Sequence, residues 1–476
     1  MCGILGAVFV SDDAILGRVP AALDLIAHRG PDGEGFWRDG DAVFAHRRLA
    51  IIDIGDGGRQ PMEDPESGLV LTYNGELYNY IELRTELVQQ GVCFRTQSDV
   101  EVVLKALRQW GTHALSRFNG MWGLALWNPK NRTLLLARDR FGVKPLYYAK
   151  CASGLAFASE PKALLCLDPG LAEPDVPALQ RLIISSSAFG GADTFFRRIK
   201  SVPAGCFAIV SEGQAAVEPV SYWTYPEFDS RASSYSRKHA DDEFRSIFES
   251  AVALRLRSDV PVGATISGGL DSSAIISAAS RQGHKLPSYT AVYGHNRGEE
   301  NWARICSDLA GNELHSVEVS FSDWLTTLKK ITWHMDSPGF SPPVFPLWKI
   351  FERARADAVP VLLEGQGADE LLGGYVHHAA AHVWDSARQL KLVQAARDAS
   401  GLSGTFGWPL LSKWLLRSPV ERSYTAWQMK FGRGRLLVSS GEDHAAHKAA
   451  SPSDFYGVLH RDHSTTILPS LLQYGD

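Results

Sequence analysis

Hydrophobic and polar positions in the first half of the chain fall into short runs that stop at Gly, Asn, Asp or Pro. Gly3-Ile4-Leu5-Gly6-Ala7-Val8-Phe9 is such a run and predicts a buried strand. Ala42 to Asp53 predicts one or two strands carrying the basic cluster His46-Arg47-Arg48. Leu69 to Tyr73 predicts a further strand, ending in Asn74-Gly75-Glu76. Met121–Trp127 and Thr133–Asp139 predict a strand pair across an Asn-Pro-Lys-Asn turn. Helical periodicity is expected over about Ile15–Ala27 and Tyr80–Gln90, with His28–Gly33 as a turn. Strands predominate, which predicts layered sheets with helices outside.

The rhythm changes past the polar stretch Ser230–Lys238, which reads as a linker. A helix over Asp241–Leu256 precedes the apolar strand Pro261–Ile266. Then come a Gly-rich turn, a helix through Ala274–Ala279, a strand at Pro287–Tyr293, a helix near Asn301–Leu309, and strands at Glu313–Val319 and Pro360–Leu363. Strand–helix alternation predicts a parallel, doubly wound sheet with its ligand crevice at the strand carboxyl ends. Tyr375 to His463 reads as amphipathic helices broken at Ser400-Gly401, Gly407-Trp408-Pro409 and Ser418-Pro419.

Composition narrows the class. With 476 residues, 45% hydrophobic and 21% charged, the chain has room for two to four globular domains. A net charge of −5 gives no global attraction to nucleic acid or to an anionic membrane surface. No apolar run reaches the length of a bilayer span, and Met1–Val10 lacks the basic start of a signal peptide. Six scattered cysteines without a C-x-x-C pair point to reduced thiols in a cytoplasmic protein, and away from structural zinc.

Candidate chemistry begins at Cys2. Once the initiator Met is removed, an α-amine of pKa about 8 sits beside a thiol of pKa about 8.5 on one residue. Nucleophile and base are then one amino acid. Amide hydrolysis also needs an oxyanion hole, which the Asn74 side-chain NH2 and the Gly75 N–H can supply. Arg48 offers a fork for a substrate α-carboxylate, and Glu76 and Asp99 offer carboxylates for an α-ammonium. In the second half, Ser267-Gly268-Gly269-Leu270-Asp271-Ser272-Ser273 joins a strand to a helix, the build of an anion site. It contains no Lys, so it is not a Walker A loop. Asp271 beside phosphate implies an intervening Mg²⁺.

Five stretches fall in order: Cys2-Gly3-Ile4, His28–Asp32, Asn74–Asn79, Ser98-Asp99 and Arg138–Tyr148. Phe157–Leu164 follows them. Together they resemble the glutaminase domain of N-terminal-nucleophile (class II) glutamine amidotransferases of the asparagine synthetase type. The resemblance implies a four-layer αββα sandwich (α+β, Ntn-hydrolase) over residues 2–215. It makes Cys2 the nucleophile, Asn74 and Gly75 the oxyanion hole, and Arg48, Glu76 and Asp99 the glutamine-binding residues. Ser267–Ser273 resembles the pyrophosphate loop of ATP pyrophosphatases. Glu364-Gly365-Gln366-Gly367-Ala368-Asp369-Glu370 resembles the second signature of asparagine synthetase-like domains. The implied second domain, 236–476, is α/β and doubly wound. It would bind ATP through Ser267–Ser273, Gly365 and Gly367, and Mg²⁺ through Asp271 and Asp369.

The implied reaction is glutamine-dependent amidation of a carboxylate activated by Mg·ATP, with aspartate or another carboxylate as acceptor. The alternatives are a lactam- or macrocycle-forming cyclase, and a split or remnant subunit without synthetase activity. Two departures bear on the choice. Gln366 stands where the family tends to carry Glu, so the acceptor is open. The family also continues past the leucine-rich stretch Ile467–Leu472 by roughly a hundred or more residues, including a catalytic lysine. A truncated chain, or a partner that supplies that segment, is therefore expected, or else a homodimer. Lys430 is not assigned that role.

Overall fold

The computed structural model describes residues 1–151, 153–185, 191–214, 216–226, 236–294, 298–338, 343–415 and 455–475. The chain falls into two compact units, one of residues 1–174 and 191–365, the other of 175–190 and 366–475.

Among the described residues of the first unit, twelve strands come before the Gly-rich loop Ser267–Ser273. They are β1 (Gly3–Val8), β2 (Gly33–Asp39), β3 (Ala42–Arg48), β4 (Met62–Glu63), β5 (Val70–Leu77), β6 (Gly120–Asn128), β7 (Thr133–Arg138), β8 (Tyr147–Lys150), β9 (Leu155–Ala158), β10 (Ile199–Ser201), β11 (Cys206–Ser211) and β12 (Val220–Ser221). They form two six-stranded sheets, ordered β10-β8-β9-β1-β3-β2 and β12-β11-β7-β6-β5-β4. Paired neighbours run antiparallel, as in Gly3↔Arg47 and Asn74↔Gly123. Strand alternation explains the layering. Ile4 and Val8 of β1 join Val70, Trp127, Leu136 and Phe157 in a core shared by both sheets. Leu5 and Ala7, on the other face of β1, pack with Leu16, Ala22, Leu23 and Leu164 of the covering helices. Tyr73, Leu77 and Leu126 do the same on the outside of the second sheet, beneath helices Tyr80–Gln89 and Asp99–Trp110. The result is the expected αββα sandwich, and each large side chain fully buried in it contributes about 1.5–3 kcal/mol.

Three boundaries differ from the sequence reading. The helix expected over 15–27 is two, Asp13–Gly17 and Val19–Leu25, because Pro20 starts a new one. The Asn74-Gly75-Glu76 triplet lies inside β5 rather than after it. Residues 236–238 of the expected linker start the helix Arg237–Arg255, capped by the Ser236 hydroxyl on the His239 N–H. The rest of that linker lies outside the described residues.

Beyond it the first unit holds β13 (Val262–Thr265), β14 (Ser288–Val292), β15 (Leu314–Glu318) and β16 (Val361–Leu363), all parallel, in the order β15-β14-β13-β16. The chain winds outward from β13 to β15 and then returns to the other side of β13. The topological switch thus lies between β13 and β16, where open α/β sheets bind ligands. Apolar side chains cover both faces, Ile266, Ile276 and Ala279 on one, Tyr289, Ile350 and Ala354 on the other.

The second unit is helical where described. Helix Leu392–Phe406 runs through Ser400-Gly401, where a break was expected, and stops at Gly407 with φ +78°. The expected break at Ser418-Pro419 and Lys430 lie outside the described residues. Asp462 is a buried hub, accepting from His377 at 2.6 Å and His378 at 2.9 Å. No helix among the described residues is long and apolar enough to cross a membrane.

Candidate active site

Cys2 precedes the first residue of β1, beside the end of β3. Its sulfur lies 3.4 Å from the Leu49 N–H and 3.5 Å from the Leu49 carbonyl. The Cys2 carbonyl accepts from Arg29 Nε at 2.9 Å, and Arg29 Nη1 binds Glu160 at 2.8 Å, so the backbone at the nucleophile is held from two sides. Burial pushes the thiol pKa up. The neighbouring amino terminus, the Leu49 N–H and Lys144 pull it down.

β5 faces β1 and β3. Along β5, Val70 sits in the inter-sheet core, and its period-2 partners Thr72, Asn74 and Glu76 share that face. The apolar inter-sheet layer therefore gives way to polar side chains near Cys2. Asn74 is buried, and its Nδ2 has no hydrogen-bond partner among the described residues. An unpaired buried donor costs about 1–3 kcal/mol, which an incoming oxyanion would remove. Gly75 is required by crowding. A Cβ there would lie 2.3 Å from the Met121 carbonyl and 2.7 Å from Trp122 Cβ on β6.

Glu76 and Asp99 are two carboxyls in one pocket. Burial raises Glu76 to about 7, with Asp99 adding to the rise and Lys144 opposing it. Burial raises Asp99 to about 6, against hydrogen bonds from the Leu77 N–H at 3.0 Å and the Tyr73 hydroxyl at 3.4 Å. A ligand cation would relieve both. Arg48 is placed differently from the free fork the sequence suggested. Its Nη1 and Nη2 donate to the Gly55 and Asp53 carbonyls, and Gly58 packs under the guanidinium.

Sequence reasoning left Lys144 without a role, although its motif was recognised. The structure buries it against Met1. The Arg29–Glu160 support was also missed, because the pair is separated by 131 positions.

The second predicted site follows β13. Gly268 has φ +77°, and a Cβ there would lie 2.4 Å from Trp302 Cβ. The loop is tied by Gly269 N to Ser267 Oγ at 3.2 Å and Ser267 N to Ser272 Oγ at 3.3 Å. Ser273 Oγ instead meets Cys306 Sγ at 3.2 Å. Helix Leu270–Arg281 starts with no side-chain cap, so its first N–H groups suit phosphate oxygens. Leu270 is 86% exposed there. Gly365, just past β16, is so close that a Cβ would lie 3.1 Å from Asp271 Cβ. Next to it, Glu364 has a buried Oε1 without a partner among the described residues, and burial raises it to about 7. This carboxyl was not singled out from the sequence. Gly367 and Asp369 belong to the second unit, where the Gly373 and Gly374 N–H groups donate to the Asp369 carbonyl at 2.9 Å. The uncapped N–H groups of this helix would suit phosphate oxygens, and Asp271 in its first turn would suit a divalent cation.

A thiol at the head of an αββα sandwich, followed by a Gly-rich loop at the switch point of a parallel sheet, defines an Ntn-type sandwich domain followed by a doubly wound α/β domain. Comparison with known families agrees. Residues 1–223 match the glutamine amidotransferase domain family and residues 243–476 the asparagine synthase family. The chain is 36% identical over 397 residues to a Mycobacterium tuberculosis relative, covering 79% of this chain and 60% of that one. It is 36% identical over 353 residues to asparagine synthetase [glutamine-hydrolyzing] 1 of Bacillus subtilis, covering 74% and 54%. A B. subtilis glutamine PRPP amidotransferase structure aligns at TM-score 0.37 and 17% identity, over 67% of this chain and 81% of that one, too distant to add weight. The chain belongs to the glutamine-hydrolysing asparagine synthetase-like family, and it spans between half and two thirds of the length of these curated relatives.

Proposed function

We propose that the chain is a glutamine-dependent amidotransferase that amidates a carboxylate at the cost of ATP. With Met1 removed, the Cys2 α-amine takes the thiol proton and the sulfur attacks the side-chain carbonyl of glutamine. Asn74 Nδ2 and the Gly75 N–H receive the oxyanion. The α-ammonium then protonates the leaving nitrogen, ammonia departs, and water hydrolyses the thioester to glutamate. Glu76 and Asp99 hold the glutamine ammonium, and Arg48 its carboxylate with the donors left after Gly55 and Asp53.

In the other half, Ser267–Ser273 and Gly365 would hold the phosphates of ATP. Asp271 would hold Mg²⁺, which supplies charge neutralisation of the pyrophosphate, and the family resemblance alone adds Gly367 and Asp369 to these two roles. The acceptor carboxylate attacks the α-phosphorus and pyrophosphate leaves. Ammonia then displaces AMP to give the amide. Aspartate is the first acceptor to test, and the neutral Gln366 side chain makes other carboxylates equal candidates. The observation that carries this reading is the Asn74 amide, buried and without a partner for its Nδ2 among the described residues, on the strand that carries Glu76.

Cys2→Ala should abolish glutamine-dependent product while sparing ammonia-dependent product. Asp271→Asn should abolish pyrophosphate release and leave glutamine hydrolysis intact. Loss of both activities in Cys2→Ala, or pyrophosphate release by Asp271→Asn, would overturn the division of labour.

A further inference from the structure

The stretch Arg138–Tyr148 is the one recognised motif that the proposed chemistry leaves without a job. Its construction is costly and specific. The Asp139 carboxylate accepts from four backbone N–H groups, those of Trp122 at 3.1 Å, Phe141 at 3.1 Å, Val143 at 3.0 Å and Lys144 at 3.0 Å. Arg138 clamps the turn from the other side, Nε on the Lys144 carbonyl at 2.7 Å and Nη2 on the Gly142 carbonyl at 2.7 Å. Gly142 turns with φ +68° against the Arg138 guanidinium. Both ends of the Lys144 backbone are thus fixed. Its side chain is 3% exposed, and its ammonium meets the sulfur of Met1. Burying an ammonium costs several kcal/mol unless charge is arranged for it, so the site is built to put a cation there.

We propose that Lys144 is a positioning residue of the glutaminase site, a fixed positive charge that keeps the α-amine of mature Cys2 in its neutral, proton-accepting form. This rests on the amidotransferase reading above. Met1 and Cys2 are adjacent, and the field of Lys144 already reaches Cys2, lowering its thiol, so removal of Met1 leaves the new α-amine within the lysine's reach. A neighbouring cation disfavours a second one. An ordinary α-amino group, of pKa about 8, is mostly protonated at pH 7 and useless as a base. Beside Lys144 it is free to accept the thiol proton, and it hands that proton on more readily to the leaving ammonia. Among the described residues the other titratable or charged groups facing it are Glu76, Tyr73 and Tyr78 at β5, Asp99 from the helix outside it, Arg255 over the Tyr78 ring, Arg29 on the Cys2 carbonyl, and Asp139 in the lysine's own turn. Glu76 and Asp99 act in the opposite sense, and glutamine's ammonium offsets them when bound.

The test uses the full chain with Met1 removal verified by intact mass. The rate of Cys2 alkylation by iodoacetamide, read on the N-terminal peptide, and kcat for glutamine hydrolysis at saturating glutamine are each followed from pH 5.5 to 9.5. For Lys144→Met the acid limb of both profiles should move up by about one pH unit, a roughly tenfold loss at pH 6.5 that vanishes above pH 9. Lys144→Arg should restore the limb. A purely structural lysine would lower both rates by the same factor at every pH, and that outcome, or a limb that stays in place, overturns the proposal. If wild-type protein with a free Cys2 hydrolyses no glutamine, the amidotransferase reading itself has failed instead.

Discussion

Glu76 and Asp99 hold their protons to about pH 7 and about pH 6 because burial disfavours their charges, and Asp99 adds to the rise at Glu76. The α-ammonium of glutamine binds their ionised forms, so binding must expel protons as pH falls toward these values. KM for glutamine should therefore be flat above pH 8 and climb about tenfold per pH unit lost below pH 6 to 7, separately from the acid limb that the Cys2 α-amine imposes on kcat. Glu76→Gln should raise KM at pH 8 and flatten its pH dependence. A KM in the wild type that stays constant down to pH 5.5 would mean that these carboxyls do not hold the ammonium. Lys144 tempers the same pair, since it lowers Glu76 while Asp99 raises it.

At the scale of elements, β5 decides how well the site is assembled. Asn74-Gly75 carries the commonest turn dipeptide, which is why its residues read as the end of a strand. Pairing with β6 through Asn74↔Gly123 and Gly75↔Trp122 keeps it extended. Tertiary neighbours override the local signal, and the crowding of Gly75 by Met121 and Trp122 shows how. Gly75→Ala must push β5 from β6, at a cost of about 1–3 kcal/mol. It should lower the denaturation midpoint and abolish glutamine hydrolysis, yet leave the shift in melting produced by Mg·ATP unchanged. Loss of the ATP effect as well would mean that the damage spreads beyond the sandwich. Ordered motifs make the candidates Cys2 and Asn74 and the Gly-rich loop stand out in the sequence alone, because each motif is a short contiguous stretch. The supports are not legible there. Lys144 against Met1, and Arg29 on the Cys2 carbonyl with Glu160 behind it, depend on chain segments distant in sequence. No periodicity reports such meetings. Helix boundaries fail for a related reason: the Gly in Ser400-Gly401 costs a helix only about 1 kcal/mol, which packing absorbs.

At the scale of the first unit, the sandwich and the parallel-sheet core are tied by ionic contacts that continue the support of Cys2. Glu160, which holds Arg29, also binds Lys162, and Lys162 binds Asp336 at 3.2 Å from beyond helix Trp324–Met335. The Lys162 N–H adds a second bond to the same Asp336 oxygen at 2.9 Å, and the ammonium lies 4.7 Å from the centre of the Trp333 ring. Arg257 grips Glu82 with two bonds of 2.7 and 2.6 Å nearby in the unit. Lys162→Met deletes the central cation. Glu160 keeps Arg29, so its loss is modest. Asp336 is different, because burial has already raised it to about 6 and Lys162 is the largest influence holding it down. A carboxyl with a folded pKa above its unfolded value begins to destabilise as pH rises past the unfolded value and reaches its full cost at the folded one. Without Lys162 its pKa climbs further, and the cost at pH 8 grows toward the ~3–5 kcal/mol typical of a broken buried pair. Melting curves of wild type and Lys162→Met should therefore lie close together at pH 5 and separate steadily up to pH 8. Lys162→Met with Asp336→Asn should close most of that gap, since the uncompensated charge is then gone. A separation of the same size at both pH values would show that Lys162 contributes by packing on Trp333, and that the nucleophile's support does not run through Asp336.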